Sequence, residues 1–166
     1  MTRIAAAVCA IALWIVRPAA AAPSIFDRAA ILAEHNRYRA EAGVPPLAWS
    51  DRLASDAQRW ADAMAALNRL QHSGTSGIGE NIAMWRDVNF SSVLAIRNWA
   101  REEALFQYGR FPNVSRDGNW ASVGHYTQIV WRNTTKIGCG LGKSGRTDFL
   151  VCWYDPPGNI AGNVPY

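Results

Sequence analysis

The sequence predicts an α+β domain. Three observations lead there: helical periodicity fills the earlier part of the chain, strand-like runs are confined to its end, and two cysteines fall within those late runs. Residues 1–21 precede the domain and have the order of a secretory signal peptide, with a basic start at Arg3, an apolar run and an Ala-x-Ala end. The run over 4–16 is thirteen residues, short of the roughly twenty that span a bilayer as a helix. Cleavage after Ala21 therefore leaves no transmembrane segment, and the expected location is extracellular or periplasmic. About 145 of the 166 residues remain, a length that predicts one domain with a proper core. Loss of Arg3 and Arg17 lowers the formal charge from +4 to +2, too little for a nucleic-acid footprint.

Within the domain, residues 25–42 read as a helix stopped by Gly43 and the pair Pro45 and Pro46. Ile31, His35, Tyr38 and Ala42 share one face, which makes His35 a core histidine rather than a ligand. Ser50 or Asp51 can cap a second helix reaching about residue 70, with Leu53, Ala57, Trp60, Met64 and Leu67 on its buried side. "QHSGTSGIGEN" then reads as a glycine-broken polar loop. A third helix is expected over 91–108, followed by an irregular segment. "SVGHYTQIVWRN" reads as a short helix running into a strand. "KIGCGLG" and "TDFLVCWYD" read as strands around a turn at 142–147. Such a hairpin brings Cys139 and Cys152 to bridging distance. In an oxidising compartment a disulfide between them follows, contributing about 3 kcal/mol by loop entropy.

Several chemistries lack their residues. "GTSGI" puts Ile78 where a nucleophile elbow needs glycine, and there is no His-Glu-x-x-His, Cys-x-x-Cys or Walker-type loop. With both late cysteines committed to a disulfide, no covalent nucleophile is nominated. His72 and His125 sit beside glycines rather than in apolar stripes, Glu80 follows "GIG", and Glu102 shares a helical face with Ala95, Trp99 and Phe106. Ile96, Ala100 and Glu103 form a similar stripe, so periodicity does not choose between Glu102 and Glu103.

"GENIA", "NWAREEALFQY", "GHYTQIVWRNT" and "CWYDPPGNIAG", in that order, resemble the signature segments of the CAP superfamily. These are the cysteine-rich secretory, antigen-5 and pathogenesis-related-1 proteins, whose domain would cover 28–162 here. The resemblance implies a three-layer α-β-α sandwich and an open cleft carrying His72, Glu80, Glu102 and His125, with Gln128 facing it. It selects Glu102 over Glu103. It also implies that His72 and His125 can hold a divalent metal, commonly zinc. Two imidazoles suit zinc but fall short of the three ligands usual at catalytic sites, so the expected site is weak and open. Trp153 departs from the small polar residue usual there, and the expectation is that it reshapes a surface rather than the cleft.

The expected function is a secreted, non-enzymatic binding module for a lipid or sterol or for a protein partner. Phe106, Tyr108, Phe111 and Trp120 are the candidate lipid-binding aromatics. The alternative is a metal-assisted, protease-like hydrolase with Glu80 or Glu102 as base. Asn89, Asn113 and Asn133 stand in sequons.

Overall fold

The computed structural model describes residues 25–86 and 90–166. The expected signal peptide and the sequon at Asn89 lie outside the described residues. Helix α1 spans Arg28–Glu41, and the Asp27 carboxylate starts it by accepting from the backbone N–H groups of Ala29 and Ala30. Such a cap is worth about 1 kcal/mol. A two-residue strand β1, Ala48–Trp49, leads into α2, Asp51–Leu67, capped by Ser50 Oγ. Asn68, at φ 47°, ends α2 in the left-handed conformation. The helix therefore stops short of the expected residue 70, and Leu67, expected on the buried side, is exposed.

Strand β2, Gly79–Arg86, begins in the last three residues of what reads as a loop in the sequence and runs on past it. Helix α3, Ser92–Ala100, then tightens into a 3₁₀ turn over Arg101–Leu105 rather than continuing to residue 108. After an irregular segment and a short 3₁₀ turn at Trp120–Ser122 comes α4, Gly124–Ile129. No strand follows α4 directly. The hairpin strands are β3, Lys136–Ser144, and β4, Thr147–Asp155.

The sheet order is β1-β3-β4-β2, with β1 parallel to β3 and the other pairs antiparallel. Alternate side chains of the sheet bury on opposite faces, as a pleat requires. Ile82, Phe149, Val151 and Trp153 meet Leu53, Ala57, Ala61 and Met64 of α2. On the other face Ile137, Leu150 and Tyr154 join Ile31 of α1, Ile96 and Trp99 of α3, and Tyr126 and Ile129 of α4. The result is the three-layer α-β-α sandwich. Cys139 and Cys152 are register partners across β3 and β4 and form the disulfide, with Cα atoms 4.1 Å apart.

One buried cation fixes the chain entering β3. Arg39 is fully buried, and its guanidinium donates to the carbonyls of Pro45, Ile129, Trp131 and Thr134 at 2.7–2.9 Å. Burial lowers its pKa to about 10, which keeps it charged at neutral pH. Arg39 thereby ties the end of α4 to α1.

Candidate functional site

The site lies at the start of β2, where that strand meets α4. Glu80 is the second residue of β2, and its carboxylate is almost fully enclosed. Oε1 is 2.6 Å from His72 Nδ1 and accepts from the Ser73 N–H at 2.9 Å, and Oε2 accepts from the Trp153 indole at 2.8 Å. Burial pushes the Glu80 pKa upward, but the hydrogen bonds from His72, Trp153 and Ser73 outweigh it and hold the carboxyl below its ordinary value. The same contact raises the pKa of His72. Trp153 thus reaches the site itself, which corrects the expectation that it shapes only a surface.

Glu102 sits in the 3₁₀ turn after α3, and its role follows from the bare start of α4. That helix has no side-chain cap of its own, because Val123 stands at the N-cap. Glu102 Oε2 replaces the cap, accepting from the N–H groups of His125 and Tyr126 at 2.9 and 3.1 Å. Its Oε1 lies 2.6 Å from His125 Nδ1. The His125 ring stacks on Trp99, with centroids 5.6 Å apart and planes 15° from parallel. Glu103 instead accepts from the Tyr126 hydroxyl at 3.3 Å.

Both histidines therefore engage a carboxylate through Nδ1. Neither Nε2 has a hydrogen-bond partner among the described residues, and both rings line one cleft of about 580 Å³. The expected tetrad is two His–Glu pairs. Among the described residues no three His, Cys, Asp or Glu side chains are grouped so that they could hold a metal ion together.

Gln128 is buried in the floor of the cleft between two glycines. Its Oε1 accepts from the Gly158 N–H at 2.9 Å, and its Nε2 donates to Thr134 Oγ1 at 3.3 Å. A Cβ at Gly79 would fall 2.1 Å from Oε1, and one at Gly158 2.8 Å from Nε2, so a side chain at either glycine would have to displace the buried Gln128 amide. Of the four candidate aromatics, Phe111 and Trp120 line this cleft and pack edge to face, with centroids 5.2 Å apart. Trp120 is 47% exposed. Phe106 and Tyr108 are elsewhere: Phe106 is buried against Tyr126 and Tyr166, and Tyr108 is exposed beside Tyr166. They do not join the cleft wall.

Asn81 escapes notice in the sequence, although it stands beside Glu80 in "GEN". It lines the cleft, and its amide donates to the His125 carbonyl at 3.1 Å and to the Tyr154 hydroxyl at 3.2 Å. Tyr154 in turn meets His35 Nε2 at 2.8 Å, so a buried chain of hydrogen bonds runs from the cleft to α1. Only its place on β2 makes this role visible.

The sandwich with its paired histidine cleft defines a class of protein, and comparison identifies it. Residues 32–154 match the family model described as CAP, the cysteine-rich secretory protein family, and the chain belongs to that family. It is 41% identical over 162 residues to the pathogenesis-related protein PRMS of Zea mays, covering 93% of each chain. It is 40% identical over 134 residues to pathogenesis-related protein 1C of Nicotiana tabacum, covering 80% of this chain and 76% of that one. Among solved structures it resembles the crystal structure of NaASP2 with Zn²⁺, with a TM-score of 0.69, 26% identity and 84% of each chain covered. Among the described residues no helix is long and apolar enough to cross a membrane.

Proposed function

We propose that this protein is an exported, non-enzymatic binding module whose cleft takes an amphiphilic ligand of the lipid or sterol class. The polar pole of the cleft is the pair of imidazoles, and its apolar wall is Phe111 and Trp120. The observation that carries the reading is the shared geometry of the two histidines, each held through Nδ1 by a carboxylate at 2.6 Å. That arrangement fixes the tautomer and leaves Nε2 as the free donor atom, the orientation that metal-binding histidines show. His72 and His125 would hold a divalent metal, zinc by donor chemistry, with water completing an open shell. The similarity to a relative crystallised with zinc supports this. Bound there, the ion would supply a positive charge able to attract an anionic headgroup.

The same geometry weighs against a hydrolase. Each glutamate already accepts three hydrogen bonds from its own fold, which leaves neither as a free general base. Calorimetric titration with zinc tests the proposal. The intact protein is expected to bind about one equivalent, as two imidazoles lining one cleft would allow, and His72→Ala and His125→Ala each to abolish it. Binding that survives either substitution would refute the paired site. Trp120→Ala is expected to leave zinc affinity intact and weaken uptake of a fluorescent fatty acid.

A further inference from the structure

A second cleft, of about 450 Å³, opens beside the first and is lined by Trp60, Trp153, Asp56, Arg59, Ser73 and Thr75. Its volume falls within the range of about 300–1,000 Å³ common for small-molecule sites. Two facts about its floor bear on what it would take. The Trp60 indole N–H donates to the Gln71 carbonyl at 3.2 Å, and the Trp153 indole N–H donates to Glu80. With both N–H groups used internally, a ligand meets only carbon, on the half-buried ring of Trp60 and on the small exposed edge of Trp153, which is otherwise buried under α2. Around them stand polar groups of the opposite kind: the hydroxyls of Ser73 and Thr75, and the Asp56–Arg59 ion pair on one face of α2. An apolar platform beside hydroxyl, carboxylate and guanidinium groups matches a sugar ring, whose C–H face stacks on indole while its hydroxyls give and take hydrogen bonds.

We infer that this second cleft is a saccharide-binding site, separate from the histidine cleft but sharing a wall with it. The shared wall is the Glu80 carboxylate. Two of the six lining residues bond to it directly, Ser73 through its N–H and Trp153 through its indole, and its Oε1 holds His72 in the first cleft. A sugar seated on Trp60 and against the exposed edge of Trp153 therefore touches a residue bonded to the group that positions His72. The inference does not depend on metal or lipid binding at the first cleft.

The test is a titration of the ¹⁵N-labelled, disulfide-intact protein with neutral β-linked tetrasaccharides of glucose, xylose and N-acetylglucosamine. At least one of them is expected to give saturable shifts at the Trp60 and Trp153 indole N–H resonances and at the Ser73 and Thr75 amides. A smaller shift of the His72 ring is expected to saturate with the same affinity. Trp60→Leu should weaken binding about tenfold, and Trp60→Phe should restore most of it. Arg59→Ala, on an exposed side chain, should weaken binding with the spectrum otherwise unchanged. His125→Ala, which removes the proposed zinc site without touching Glu80, should leave saccharide affinity as it was. Absence of saturable shifts with all three sugars, or shifts that map to Trp120 and survive both Trp60→Leu and Arg59→Ala, would overturn the site. Saturation without any response at His72 would overturn the shared wall.

Discussion

His35 shows how much one buried side chain can decide. Its Nδ1–H must donate to the Ile31 carbonyl, 2.9 Å away, because a carbonyl only accepts. Nε2 is then the acceptor for the Tyr154 hydroxyl, and the ring is neutral with a fixed tautomer. Full burial lowers its pKa to about 4; the hydrogen bond to the Ile31 carbonyl opposes the shift, and smaller effects follow from Arg39, which lowers it, and Glu34, which raises it. The unfolded chain, with a histidine pKa near 6.5, binds the proton first. The contribution to stability is therefore complete above about pH 6.5 and is lost as pH falls towards 4, reaching about 3 kcal/mol. Urea unfolding of the protein and of His35→Gln at several pH values checks this. The variant should be less stable at pH 7 and flatter between pH 6.5 and 4, and equal slopes would refute it. The core role of His35 is legible from its apolar stripe. The partners of Glu80 are not, because Trp153 reaches it from a strand that follows it in the chain by about seventy residues. Choosing Glu102 over Glu103 likewise requires the start of α4, which no helical periodicity contains.

At the scale of elements, the contact between α2 and the sheet depends on three alternate glycines in β3. Gly138, Gly140 and Gly142 present no side chain to α2, and its backbone comes down on them. A Cβ on Gly140 would lie 2.3 Å from Gln58 Cα, and one on Gly142 2.2 Å from the Ala61 oxygen. Real contacts of that kind stay beyond 3.0 Å. Gln58 also clasps the strand, donating to the Leu141 carbonyl at 2.9 Å and accepting from its N–H at 3.0 Å. Gly140→Ala should therefore push α2 off the sheet and cost about 3 kcal/mol, the upper end for overpacking. The midpoint of thermal unfolding measures it, and an unchanged midpoint would show that α2 yields freely. The spacing of these glycines is a readable sign of close approach in the sequence. Strand β2 is harder to read, because Gly79, Glu80 and Asn81 open it with the composition of a loop. Their polar groups are buried against the cleft instead of alternating with solvent.

Across the whole molecule, the sheet is the shared floor of two separate cores, and the disulfide crosses its middle pair. Cys139 and Cys152 both point to the core shared with α1, α3 and α4, leaving the α2 face to Phe149, Val151 and Trp153. The bridge is one buried part of that core and touches none of the α2 core, and β3 and β4 are paired from Lys136 to Ser144 through backbone bonds of their own. The bridge then acts mainly on the unfolded chain by closing a loop with a sequence separation of 13. Replacing both cysteines, Cys139→Ala with Cys152→Ala, should lower the unfolding free energy by about 3 kcal/mol and leave a folded protein. The wild type under full reduction should approach the same value. Asn81 pairs in register with Cys152, and the cleft is joined to the bridged strand by this backbone pairing and by the bonds of Trp153 to Glu80 and of Asn81 to Tyr154, none of which passes through the cysteine side chains. Zinc titration of the folded double variant should accordingly match the wild type. Loss of zinc binding in a variant that still unfolds cooperatively would mean that the disulfide positions the cleft itself, and that the two cores are not enough to hold β2 in place.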